Sequence, residues 1–528
     1  MLPSAGYALA LGLCAFGAVS AQSYTELYRP QFHFTPAKNW MNDPNGLIYH
    51  NDVYHLFYQY NPGGTTWGAM SWGHATSKDL IHWEHQPVAL LARGFPDAIT
   101  EMFFSGTAVA DVDNTSGFGT NGSTPLVAMY TSYYPQGQEL PSGKTVAANQ
   151  QAQSIAYSLD DGMTWTTYDA GNPVIAEPPA EYADQILEFR DPSVFWHQES
   201  GKWVSIVSLA KLHKLLFYTS TDLKTWKFVS EFGPANAVGG VWECPSIFPL
   251  PLDGDDQNLK WVAQIGLNPG GPPGVTGSGT QYFVGSFDGT SFIADPESLE
   301  QTNWLDYGPD FYAALSFSGL PTDERIDITW MSNWQYAAAI PTDPWRSSMT
   351  VPRKLSLATV NGIATVLQQP IVQEQTSTPW RWSSSPAGVT KLNVTGKALD
   401  ATLSFSKSEA TDFGLIVRAS ADMSQQTRIG YDFTTQELFV NRTSSGEAGF
   451  DGSFSSVYYA PLASNDGNIT FRALVDWSSV EVFGGDGEVT LTAQIFPSDD
   501  SVDAYLFSTD GSTSGVELRA HQVPSTWN

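Results

Sequence analysis

Trp40-Met41-Asn42-Asp43-Pro44-Asn45-Gly46 opens an apolar run with an aromatic, an acid and a proline. Two more stretches follow the same pattern, Phe189-Arg190-Asp191-Pro192-Ser193-Val194-Phe195 and Val241-Trp242-Glu243-Cys244-Pro245-Ser246-Ile247. Proline fixes the local backbone and withholds a ladder donor, so each acid belongs at a strand entrance rather than in mid-strand. The acids recur 148 residues (191 − 43) and 52 residues (243 − 191) apart, as equivalent corners of a repeated unit would. Phe104-Ser105-Gly106-Thr107-Ala108-Val109 and Asp310-Phe311-Tyr312-Ala313-Ala314 supply two more entrances. Five entrances, near 43, 105, 191, 243 and 312, predict an all-β fold built on a five-bladed β-propeller. The competing reading is a large irregular sandwich whose similarities are accidental.

A second repeat interleaves with the first. Ser77-Lys78-Asp79-Leu80-Ile81-His82-Trp83 is echoed by Ser220-Thr221-Asp222-Leu223-Lys224-Thr225-Trp226, and more loosely by the run from Ser158 to Trp165. Strand, polar turn, then a Trp opening the next strand is the expected signature of an outer hairpin. Beyond Leu355 the texture changes: Trp becomes rare and apolar alternation sharpens, as in Phe413 to Ala419 and Ala473 to Phe483. The division read from this is a leader at 1–21, a propeller at 22–370, a linker at 371–387 and a C-terminal β-sandwich at 388–528.

Composition sets the surroundings. A hydrophobic content of 42% and an aromatic content of 13% exclude disorder, and 54 acids against 25 bases, a net charge of −29, exclude nucleic-acid and anionic-membrane partners. Tyr7 to Val19 is apolar and small, and Val19-Ser20-Ala21 fits a cleavage site, so secretion is expected. The run is too short to span a bilayer. Cys14 leaves with the leader, so Cys244 stands alone and reads as a packed thiol between Trp242 and Pro245. Asn114, Asn121, Asn393, Asn441 and Asn468 head glycosylation triplets. A monomer is expected.

Three acids converging at the narrow axis of a propeller would repel one another, which makes them costly unless they are used. Taken singly, Asn42-Asp43-Pro44-Asn45-Gly46 also makes a good turn, and Arg190-Asp191 also makes a structural ion pair. The recurrence favours chemistry, and a carboxylate cluster is what glycoside hydrolysis needs. Gln59, Asn61 and Trp67, in the hairpin that follows Asp43, suit a sugar with its C–H faces and hydroxyls.

These motifs, together with Ser479-Val480-Glu481-Val482-Phe483, resemble the invertase and fructan hydrolase family, glycoside hydrolase family 32, across essentially the whole mature chain. Trp40 to Arg93 and Asn268 to Gly274 are most similar to its fungal exo-inulinases. The resemblance implies a five-bladed propeller, a retaining mechanism and release of terminal β-D-fructofuranosyl units from inulin, related fructans and sucrose. It implies Asp43 as nucleophile, Glu243 as general acid/base, and Asp191 as the acid that binds fructose hydroxyls and supports the transition state. Asn42, Gln59, Trp67, Ser105, Arg190 and Trp334 fall where the family lines its terminal-fructose pocket. No metal or organic cofactor is implied. Arg190 is expected to keep Asp191 ionised. Two alternatives stay open, an invertase acting mainly on sucrose and a non-catalytic carbohydrate-binding protein.

Overall fold

A computed structural model describes residues 24–120, 122–321, 324–375, 377–406 and 408–527. The stretch read as a leader, with Cys14, and the sequon Asn121 lie outside the described residues. Five innermost strands, Asn39–His50, Met102–Ala110, Phe189–His197, Val241–Leu252 and Tyr312–Ser316, pack each against the next, and the last against the first. Each begins an antiparallel blade of four strands, and blades 4 and 5 join in one sheet only through Leu252 and Leu357. Trp345–Arg346 pairs in parallel with Asn39 and Trp40 and clasps the late propeller chain onto blade 1. Apolar clusters fill the gaps between blades: Phe57, Trp72 and Tyr130 between blades 1 and 2, and Trp40, Tyr312 and Trp330 between 5 and 1.

Every innermost strand carries the same irregularity at its entrance. Met41 pairs Tyr60 and Pro44 pairs Tyr58, three steps on the inner strand against two on its neighbour. The same one-residue bulge recurs between Phe103 and Gly106, Arg190 and Ser193, Glu243 and Ser246, and Tyr312 and Leu315. A bulge bends the strand and re-aims its side chains, so the repeat seen in the sequence is a repeat of bulges. Carbonyls at and beside these bulges also take side-chain donors. The preceding blade supplies them: Gln59 donates to Phe103 O at 3.0 Å, Gln153 to Phe189 O at 2.9 Å, and Gln264 to Ala314 O at 3.2 Å.

The Ser-x-Asp…Trp repeat closes the outer hairpins of blades 1 to 3. Ser77 and Ser220 accept backbone N–H groups of their turns, Asp79 and Asp222 accept two more, and each Trp indole donates to a turn carbonyl.

The C-terminal sandwich stacks two six-stranded sheets over a single apolar core. Trp380–Trp382, inside the stretch read as linker, pairs with Ser514–Gln522 as an edge strand, its two indoles stacked 6.1 Å apart. Propeller and sandwich meet over buried ions. Arg353 donates to Asp306 at 3.2 Å and to Glu481, while His33 bridges Asp476 and Glu481, at 2.8 Å to each. Arg442 reaches from the sandwich to Asp310 at 2.7 Å. Asn114, Asn393 and Asn468 are exposed and Asn441 is half-buried. Among the described residues no helix is long and apolar enough to cross a membrane.

Candidate active site

The bulges deliver their side chains to one end of the axis, and several contacts there join equivalent positions of neighbouring blades. Asp43 and Ser105 hold the same place in the bulges of blades 1 and 2, and Ser105 Oγ donates to Asp43 Oδ2 at 2.7 Å. Asp191 and Cys244 correspond in blades 3 and 4, and the Cys244 N–H donates to Asp191 Oδ2 at 3.1 Å. Arg190, Glu243 and Tyr312 correspond in blades 3, 4 and 5. Arg190 forks onto Glu243 Oε1 through Nε at 3.1 Å and Nη2 at 2.9 Å, and the Tyr312 hydroxyl donates to Oε2 at 2.5 Å. Asp191 and Cys244 hold left-handed φ of +61° and +48°, backbone strain at the point where the strands turn.

The electrostatics follow from burial with too few cations. Burial raises the Asp43 carboxyl above its usual range, Ser105 opposes this, and Glu243 adds repulsion. Its second oxygen, Oδ1, is buried and has no protein partner among the described residues. Asp191 is pushed up to about 7, chiefly by burial and then by the charges of Glu243 and Asp43, against the pull of Arg190. The expectation that Arg190 keeps Asp191 ionised therefore changes. Its guanidinium is spent on Glu243 and on Glu188, at 2.7 Å, and lies 3.9 Å from Asp191. Cys244 is the packed thiol expected, set against the cluster that holds Tyr312 and Ala313, but packing is not its whole environment. The bulge turns its Sγ to 3.5 Å from Asp43 Oδ2 and 3.8 Å from Asp191 Oδ2, and burial holds the thiol well above its usual value.

Nine residues read from the sequence line one cavity of about 380 Å³: Asn42, Asp43, Gln59, Trp67, Ser105, Arg190, Asp191, Glu243 and Trp334. Asn61, also read as suited to a sugar, does not line it and is turned to Thr66 O and the Gly63 N–H. Trp67 stands at its rim, 44% exposed. The same wall carries Phe104, Tyr133, Gln151, Glu188 and Asn268, to which the sequence reading gave no site role. Aligning the five entrances would have found Tyr312, because it shares its bulge position with Glu243. Tyr133 and Gln151 sit on the second and third strands of blade 2 in no motif that marks them.

Two family models cover the described chain. The glycosyl hydrolases family 32 N-terminal domain matches residues 33–370, and the family 32 C-terminal model matches 368–522. The chain is 58% identical to the extracellular exo-inulinase of Aspergillus ficuum, over 98% of this chain and 99% of that one. The crystal structure of exo-inulinase from Aspergillus awamori superposes with a TM-score of 0.94 at 57% identity, covering 96% of this chain and all of that one. The fructofuranosidase of Schwanniomyces occidentalis in complex with fructose gives 0.83 at 31% identity, with the same coverage.

Proposed function

The chain belongs to glycosyl hydrolase family 32, and on that premise we propose a secreted, exo-acting β-fructosidase that releases terminal fructose from inulin, related fructans and sucrose. The observation that carries the reading is the convergence of Asp43, Asp191 and Glu243 on one cavity, with a single arginine among them. Secretion is supported by the leader and by relatives named extracellular.

Each acid receives its role from its surroundings. Asp43 is the nucleophile: Ser105 anchors Oδ2 and leaves the unpartnered Oδ1 to attack the anomeric carbon of fructose. Glu243 is the general acid/base. The Arg190 fork occupies Oε1, so the proton is carried on Oε2. That oxygen also accepts from the Tyr312 hydroxyl through its remaining lone pair, and the proton passes to the glycosidic oxygen as that bond breaks. The carboxylate left behind then takes a proton from water, which attacks the fructosyl–Asp43 ester and frees the nucleophile, so configuration is retained. Asp191, protonated through the acidic range, both donates to and accepts from fructose hydroxyls. A long-chain inulin digest sampled at low conversion tests the exo assignment. Free fructose with little oligosaccharide is expected, and a ladder of short fructans would overturn it.

A further inference from the structure

The Arg190 fork is at odds with the work of the acid it holds. A guanidinium 2.9 Å away favours the ionised form of a carboxyl. Glu243 must begin each cycle with a proton. Something has to offset that cation, and Glu188 is placed to do it.

Glu188 stands immediately before the strand Phe189–His197, half-buried in the cavity wall, and its Oε2 accepts from Arg190 Nη1 at 2.7 Å. Its other oxygen is taken by Lys211 Nζ, also at 2.7 Å. The fold of blade 3 brings the lysine there. Strand Lys202–Leu209 returns beside Phe189–His197 and runs into the turn Ala210–Leu212, whose first N–H donates to Glu188 O at 2.9 Å. The result is a file of alternating charges, Lys211, Glu188, Arg190 and Glu243. It runs from solvent, where the lysine side chain is 60% exposed, to the leaving side of the scissile bond. Burial works against the Glu188 charge, yet Lys211 and Arg190 hold its carboxyl below the usual range, so the charge persists in acid. From the other entrances Glu243 also faces Asp43, Asp191, Cys244 and Tyr312, and Arg190 also faces Asp191 and the Gln151 amide. These neighbours stay constant when Glu188 or Lys211 is exchanged.

We propose that Glu188 is a positioning residue acting through Arg190: it cancels enough of the guanidinium charge for Glu243 to keep its proton, and Lys211 sets how much is cancelled. The proposal rests on the fructosidase reading above.

The test is the alkaline limb of kcat/KM for 1-kestose, where loss of the proton donor shows. Glu188→Gln keeps an acceptor for Arg190 but not the charge, and is expected to move that limb to lower pH by roughly 0.5–1 unit. Lys211→Met leaves Glu188 to act on Arg190 alone. It should move the limb to higher pH, by roughly 0.2–0.5 unit because the lysine is largely in water. Glu188→Asp retains the charge and should hold the limb closer to wild type than Glu188→Gln does. A limb is a position on the pH axis, so the folded fraction of a preparation does not affect it. Opposed shifts at two linked residues follow from charge and not from a purely structural tie. A limb that stays in place in Glu188→Gln, that moves equally in Glu188→Asp, or that moves the same way in Lys211→Met overturns the proposal while leaving the fructosidase reading intact. If the wild type does not cleave 1-kestose, both fall.

Discussion

Two groups of acids, one at the propeller axis and one where the propeller meets the sandwich, are both largely removed from water and differ in their partners. At the interface Asp306, Asp310, Asp476 and Glu481 face three cations, and both oxygens of each carboxylate are bonded. Burial works against the Glu481 charge, yet Arg353 and His33 hold its carboxyl below the usual range. At the axis Asp43, Asp191 and Glu243 share Arg190, and Asp43 keeps an unpartnered oxygen. Buried acids that are matched fasten two domains together, whereas unmatched ones hold stored reactivity. Asp310 belongs to one of the five entrances but precedes its bulge by two residues, and its carboxylate turns to Arg442 instead of the axis.

The comparison breaks first on activity. Asp43→Asn removes the attacking oxygen and is expected to lower kcat on 1-kestose by roughly 10³-fold or more, with the thermal midpoint held or raised. The neighbouring Asp191→Asn sharpens the point. Its folded pKa of about 7 lies above its unfolded value of 3.8, so the acid form is favoured by folding, and stability falls as pH rises from 3.8 to 7. The substitution should therefore raise the thermal midpoint near neutral pH while abolishing turnover. A drop in stability would mean that the axis acids are structural after all.

At the interface the outcome should reverse. Glu481→Ala leaves Arg353 and His33 buried without their shared acceptor, a loss of about 3–5 kcal/mol. Denaturant unfolding reads that loss, and kcat of the folded fraction should stay within about twofold of wild type.

His33 makes the interface sensitive to pH. Burial opposes its charge, but hydrogen bonds from both ring nitrogens to Asp476 and Glu481 carry its pKa to about 9 from 6.5. The stabilisation is complete below pH 6.5 and disappears as pH climbs through 9, a change of about 3 kcal/mol. Thermal midpoints measured from pH 6 to 9.5 should fall in that window. His33→Gln should flatten the curve, and a slope that survives the substitution would place the titrating group elsewhere.

Much of this was legible in the chain. Proline beside an acid after an aromatic exposes a bulged strand entrance, because few other local structures need that combination, and the five entrances name the five innermost strands. The nine pocket residues came with them or through the family resemblance. What stayed hidden depends on contacts across blades. Nothing in Glu188-Phe189-Arg190-Asp191 tells whether the guanidinium turns to its neighbour Asp191 or to Glu243, 53 residues on. Nor does the sequence around Cys244 reveal a positive φ that swings a thiol out of an apolar run and in between two acids. Tyr133 and Gln151 are ordinary strand residues until the third dimension brings them to the cavity.

The finest test lies within the axis itself, at the Ser105 hydroxyl that donates to Asp43 from the next blade. Ser105 Oγ stabilises the charged form of Asp43 and partly offsets the effect of burial. Without it the carboxyl ionises less readily, so in Ser105→Ala the acidic limb of the kcat profile should move to higher pH. The lost hydrogen bond to a charged group implies a fall in kcat of roughly tenfold at the optimum, far short of the loss in Asp43→Asn. The alkaline limb reflects loss of the proton donor, which Ser105 does not touch, and should stay in place. A shift of both limbs together would show that Ser105 holds the geometry of the whole end of the axis. A shift of the acidic limb alone would show that a single inter-blade hydrogen bond sets how readily the nucleophile is armed.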